Sequence, residues 1–252
     1  MLGPLAALRE TTPLAQFVAL GKWGLLALLF APRYPVRALD GASFTESIRT
    51  EAITRISNSS RRRLVAREAH FSSTLHGDTL VVSADSVTLS ELADGHSRTL
   101  DTDGFVGGLY RLLVDSIGRS TLIERPFVPD DIVEVSDLSR AMDDFLPPLP
   151  PELAIDGSID AGGRTWHRTA DSSGMRRFRW SLRLSQDRTE AVGDSVPATI
   201  AGESRESGAM AWSPTRGPLA WTRRIESDIT TRLRGQTIMA SVVQRIDVRR
   251  TR

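Results

Sequence analysis

The chain has 252 residues, of which 40% are apolar and 25% charged, a composition in the ordinary globular range with enough length for a sizeable core. It has no cysteine, which excludes disulfides, thiolate nucleophiles, cysteine zinc sites and lipobox acylation together. The formal charge is +1 and gives no bulk electrostatic reason to bind nucleic acid, whose affinity rests on neutralised phosphates.

The first informative segment is the apolar run from Gly24 to Ala31, preceded by Lys22 and followed by Pro32, Pro35, Val36 and Ala38. A cation, a short apolar stretch and a small-residue site are the three parts of a secretory signal, so residues 1–38 are expected to be a signal peptide cut after Val36-Arg37-Ala38. The run is too short for a membrane span, which needs about 20 residues, and no later segment replaces it. The stretch ahead of it is long for an n-region, the pattern a start codon placed too far upstream would leave. Cutting after Ala38 removes four basic side chains (Arg9, Lys22, Arg33, Arg37) and one acid (Glu10), taking the formal charge from +1 to −2. The expected product is a single mature β domain over 39–252, periplasmic or extracellular and not a lipoprotein.

From residue 40 onward β segments alternate with hairpin signals. Turns are predicted at Gly77-Asp78, Asp94-Gly95, Asp115 to Gly118, Asp171 to Gly174, Ser213 to Gly217 and Gly235-Gln236, because each places glycine or a turn-forming polar residue between β-branched stretches. Within the segment 79–91, Leu80, Val82 and Ala84 are apolar at even positions and Val87 and Leu89 at odd ones. That phase change predicts a bulge near Asp85-Ser86. Leu138, Ala141, Met142 and Phe145 follow helical spacing after Ser136, and Pro147-Pro148 stops the pattern, so one short helix is expected near 136–146, packed on the sheet. The proline-rich linker 147–151 divides the domain into two sub-parts. Leu219, Trp221, Ile225, Ile229 and Leu233 then take odd positions opposite polar even ones, and Ile238, Ala240, Val242, Ile246 and Val248 repeat the alternation after the next turn. A strand of fifteen residues from Leu219 to Leu233 spans roughly 50 Å, and a one-sided sheet of that length must twist and curl. The predicted fold is mainly β, a long-stranded antiparallel meander curled into a half-barrel or open barrel.

Candidate chemistry is sparse. None of the four histidines, His70, His76, His96 and His167, stands in a zincin arrangement, and no G-x-S-x-G elbow appears. Asp101-Thr102-Asp103-Gly104 resembles the start of a calcium loop, but the rest of the pattern is missing and the segment reads as a polar turn. Arg176 to Trp180 reads as an amphipathic strand, with Arg177 and Arg179 on one face and Phe178 and Trp180 on the other. No metal, cofactor or catalytic residue is assigned, and the chain is expected to be non-enzymatic. Trp166, Trp180, Trp212 and Trp221 are the large side chains available to line a concavity, and they are the candidate ligand-binding residues.

The apolar N-terminal run, the one-sided strands, the glycine-ended hairpins and the single sheet-covering helix together resemble exported β-rich proteins of environmental bacteria that have no assigned activity. In architecture across residues 40–250 they are also similar to the periplasmic half-barrel lipoprotein carriers. The second resemblance implies an apolar concavity that holds a hydrophobic small molecule or lipid. The alternatives are a structural or interaction module that meets another envelope protein, and a hydrolase with an unrecognised site. Nucleic acid is not an expected partner.

Overall fold

In the computed structural model, residues 34–116, 119–133, 135, 136, 138, 141, 142, 145–192, 196–233 and 235–251 are described. The apolar N-terminal run and most of the expected signal peptide lie outside them. Tyr34–Arg252 forms one compact unit. Its strands are β1 (Ser43–Ile56), β2 (Ser59–His76), β3 (Thr79–Ala93), β4 (His96–Leu100), β5 (Leu109–Val114), β6 (Ser120–Glu124), β7 (Ser158–Ala161), β8 (Arg164–Ser172), β9 (Met175–Val192), β10 (Val196–Ser213), β11 (Gly217–Leu233) and β12 (Gln236–Arg250).

All twelve join one antiparallel, unclosed sheet in the order β6-β5-β3-β2-β1-β12-β11-β10-β9-β8-β7, with β4 also on β3. The expected open half-barrel is therefore what the chain forms. It consists of two meanders, β1–β6 and β7–β12, welded where β1 pairs with β12 from Phe44↔Arg250 to Ile56↔Ile238. Beyond β3 the edge is shared, since β5 takes Thr79–Ser83 and β4 takes Leu89–Ala93.

The hairpin grammar accounts for the meanders. Gly77, Gly95, Gly174 and Gly235 all have positive φ at strand junctions, and Asp94 (φ 49) and Ser173 (φ 54) precede two of them in the same region. Between β2 and β3 the register steps from His70↔Ser86 to Phe71↔Ala84, leaving Asp85 without an opposite residue. This is the predicted bulge, and Asp85 turns outward to accept a hydrogen bond from Ser72 Oγ at 2.8 Å.

One face of the sheet carries the core. Phe44, Phe71, Leu80, Tyr110, Phe178, Trp212 and Trp221 are buried there. The connection from β6 to β7, residues 125–157, contributes Ile132, Leu138, Met142 and Phe145 to the same core. Phe145 meets Phe44, Phe71 and Trp221 edge-on at 5.5, 5.6 and 5.7 Å. The helix differs in place from the expectation. It is α1 (Asp130–Val133); the expected 136–146 segment lies partly outside the described residues, and within them Ala141 N–H donates to Leu138 O and Phe145 N–H to Met142 O. The inward stripe of Leu138, Ala141, Met142 and Phe145 is kept.

Candidate functional site

The strands are longer than their cover. Where the connection ends, the inner face continues along β1 and β9–β12, and a pocket opens at the boundary. Its floor is Ile48, Ile246 and Val248, one wall is Trp221, the roof is Ser136, Ala141 and Phe145, and its space is about 210 Å³.

Register explains what meets there. One lateral row across the inner face reads Arg67, Ile48, Ile246, Arg223, Gly208, Trp180 and Trp166, from β2 to β8. The row below it contains Glu46, Val248, Trp221, Met210 and Phe178. The row above it contains Val65, Thr50, Gln244, Ile225, Glu206 and Leu182. One buried and one part-buried ion pair therefore flank the isoleucine floor. Arg67 donates to Glu46 at 2.8 and 2.9 Å, with both side chains almost fully enclosed. Arg223 donates to Glu206 Oε2 at 2.8 Å, while Trp180 Nε1 donates to Glu206 Oε1 at 2.7 Å and Arg164 stands 3.7 Å away.

The two carboxylates are tuned in opposite directions. Burial pushes Glu46 above the usual carboxylate range and outweighs the charge and hydrogen bond of Arg67. Burial also acts upward on Glu206, but there Arg223, the Trp180 indole and Arg164 together outweigh it and hold the group below the ordinary value.

All four tryptophans singled out from the sequence lie on the inner face, each buried. They do not form one wall. Trp166 and Trp180 contact each other at 5.6 Å near one edge of the sheet, Trp212 packs on Tyr34 at 5.4 Å, and Trp221 alone lines the boundary pocket. Trp180 owes its seat to Gly208, where a Cβ would stand 2.0 Å from the indole Cζ2. The inner-face ionic residues Glu46, Arg67, Glu206 and Arg223 were not anticipated. Their signal was present as gaps in the apolar alternation, since Arg223 is the odd-numbered position missing between Trp221 and Ile225.

Among the described residues, no group of three or more histidine, cysteine, aspartate or glutamate side chains is placed to hold a metal, and no helix is long and apolar enough to cross a membrane. The Asp101-to-Gly104 segment forms a polar turn, with Asp103 N–H donating to Asp101 Oδ1 at 3.0 Å.

No family model matches the chain, and no curated protein matches it. Among solved structures it is similar to Pseudomonas aeruginosa OpdQ, at 9% identity over 84% of this chain and 100% of that one, with a TM-score of 0.27. It is similar to Pseudomonas aeruginosa OpdL at 8% identity over 84% and 99%, with a TM-score of 0.25. MucB in complex with MucA(peri) aligns at 10% identity over 84% and 91%, with a TM-score of 0.15. These superpositions are too loose to transfer any residue role.

Proposed function

We propose that the chain is an exported, non-enzymatic envelope protein that holds a hydrophobic ligand on the uncovered part of its inner sheet face. The observation that carries this reading is the apolar strip running out of the boundary pocket. Past Ile48 and Ile246, and the hydrogen-bonded pair Thr50 and Gln244 beside them, the strip continues as Ala52 beside Val242, then Ile229 beside Ala240, then Ile56 beside Ile238, on neighbouring strands and one face. Ile56 is 40% exposed at the far end of that strip. Apolar surface of this kind gains about 25 cal/mol for each Å² removed from water, so an acyl chain laid along it is a favourable occupant. Trp221 would close the inner end of the strip, while Trp166, Trp180 and Trp212 pack the inner face away from it.

Organic extraction of the purified protein, followed by mass spectrometry, tests the reading. A lipid or other hydrophobic molecule recovered from the wild type, and lost from Val242→Arg, is the expected result. A clean extract from freshly purified protein, together with no uptake of a fluorescent fatty acid, would overturn it.

Export is tested separately by intact mass of the secreted product, for which a terminus at Leu39 is expected. That cut would release Tyr34 from Trp212 and the Ala38 carbonyl from Arg250, which donates to it at 2.5 Å. A terminus ahead of Tyr34 would replace the assigned site with an upstream one.

A further inference from the structure

From the outer face of β9–β12 we infer a second site, independent of the inner-face reading: a cationic trough that docks an acidic polypeptide segment. Its floor is made by small side chains on the two middle strands, Ala209 and Ala211 on β10 facing Thr222 and Ala220 on β11. Its rails are Arg177 and Arg179 on β9, opposite Ala211 and Ala209, and Arg249 on β12, opposite Ala220, with Arg245 four residues along. Three strand spacings separate the rails, which places their backbones about 14 Å apart. The hollow between Arg177, Arg179 and Arg249 offers about 470 Å³.

What sets this patch apart is that four unanswered arginines frame one floor of small side chains. Other outer-face arginines are answered across or along the strands, as in Arg62 with Glu51, Arg205 with Glu203 and Arg224 with Glu226, or, like Arg49, Arg55 and Arg232, form no pair among the described residues but frame no such floor. Arg177, Arg179, Arg245 and Arg249 are exposed, and among the described residues none of them forms a hydrogen bond or an ion pair. Arg245 even lies between Arg224 and Arg49 in one lateral row, although like charges directly opposite one another destabilise a sheet. Asp247 is the carboxylate on the rim and leaves the trough with an excess of positive charge. An acidic side chain offers each free guanidinium a charge-assisted, bidentate partner.

The shape selects among anionic partners. A flat bilayer would touch the rails and miss the floor, and the trough presents no exposed aromatic to insert into one. Single-stranded nucleic acid is held by stacking on exposed aromatics, whereas Phe178, Trp180 and Trp221 point to the other face and are buried. An extended peptide can lie along the small-residue floor with its carboxylates reaching both rails.

The test is fluorescence anisotropy of a labelled peptide alternating glutamate and aspartate against the full protein, with its glutamine/asparagine counterpart as control. Binding of the acidic peptide alone is expected, weakening as salt rises. It should weaken about tenfold in R177E/R179E and in R245E/R249E, because two attractions become repulsions. A209W, which fills the floor without changing charge, should weaken it comparably. Circular dichroism and thermal midpoints verify that the variants fold, and R245Q/R249Q replaces any that does not. No binding, binding unchanged in the variants, or loss in the charge reversals with A209W unaffected would each overturn the trough as the site. Tighter binding of phosphatidylglycerol vesicles or of a thymidine oligonucleotide than of the peptide would overturn the assigned partner.

Discussion

At the scale of single residues, the inner face shows how a buried charge is tolerated only through its partner. Arg67 and Glu46 satisfy each other inside the sheet, so removing one leaves an uncompensated charge whereas removing both leaves an apolar gap that neighbours can fill. Arg67→Met is expected to cost about 3–5 kcal/mol in urea unfolding, and Arg67→Met with Glu46→Leu to return close to wild type. Glu206 adds a pH signature. Its folded value is depressed, so its contribution is present above the ordinary glutamate value of about 4.3 and is lost as pH falls through the folded one. Glu46 runs the other way: its raised value means that its charge costs stability at neutral pH, a cost relieved as pH falls through the folded value. Unfolding measured down the acid limb should therefore decline less steeply in Glu206→Gln than in wild type. An unchanged slope would show that Glu206 is not held below its ordinary value. Gly208 supports the same cluster by absence of bulk. Gly208→Ala would drive a methyl into Trp180 and is expected to cost about 1–3 kcal/mol as an overpacked site, with a shift in tryptophan emission.

At the scale of elements, the bulge at Asp85 is where sequence and structure meet most directly. The phase change from Leu80, Val82 and Ala84 to Val87 and Leu89 is visible in the sequence, and the extra residue keeps both sets on the core side. Deleting Asp85 would restore a regular ladder and force one of the two sets outward, because a one-residue slip flips every side chain beyond it. The deletion is expected to abolish cooperative unfolding, and a sharp two-state transition near the wild-type midpoint would refute that role. Turns were legible for the same local reason, since positive φ restricts the choice of residue. The turn at Ser57 and the pair Gly162-Gly163 were not anticipated, and serine at φ 52 carries little compositional signal. Leu138, Ala141, Met142 and Phe145 report which side of their segment is buried, and that is what the structure keeps; the described helix itself is Asp130–Val133. The inner-face ion pairs were hidden by a different cause. An arginine within an alternating strand reads as wet until the neighbouring strands are aligned and its glutamate appears beside it.

At the scale of the whole molecule, the order of the sheet sets what can be separated. Apart from β5, which pairs with β3 past β4, each meander is built from neighbours in sequence, so its hairpins can form locally. The weld between β1 and β12 joins residues as distant as Phe44 and Arg250, and nothing in a hairpin pattern announces it. Such a contact must repay a large loop-closure entropy, which makes it a late and slow step in folding. The proline-rich stretch 147–151 lies in the connection between the meanders, so a cut there leaves every hairpin intact and breaks only chain continuity. Fragments 39–150 and 151–252 should each expose a long unpaired edge, β1 in one and β12 in the other, and edges of that kind associate or aggregate. Expressed alone, each is expected to be insoluble or oligomeric. Expressed together, they should form a one-to-one complex with wild-type far-ultraviolet circular dichroism, because the exposed edges are mutually complementary in register. A single charge reversal that faces water on the outer side of β1, such as Arg49→Glu, should leave that complex intact, whereas Ser47→Pro removes a backbone donor inside the weld, opposite Asp247, and should prevent it. Two fragments that fold as separate monomers would show instead that the weld is dispensable to either half.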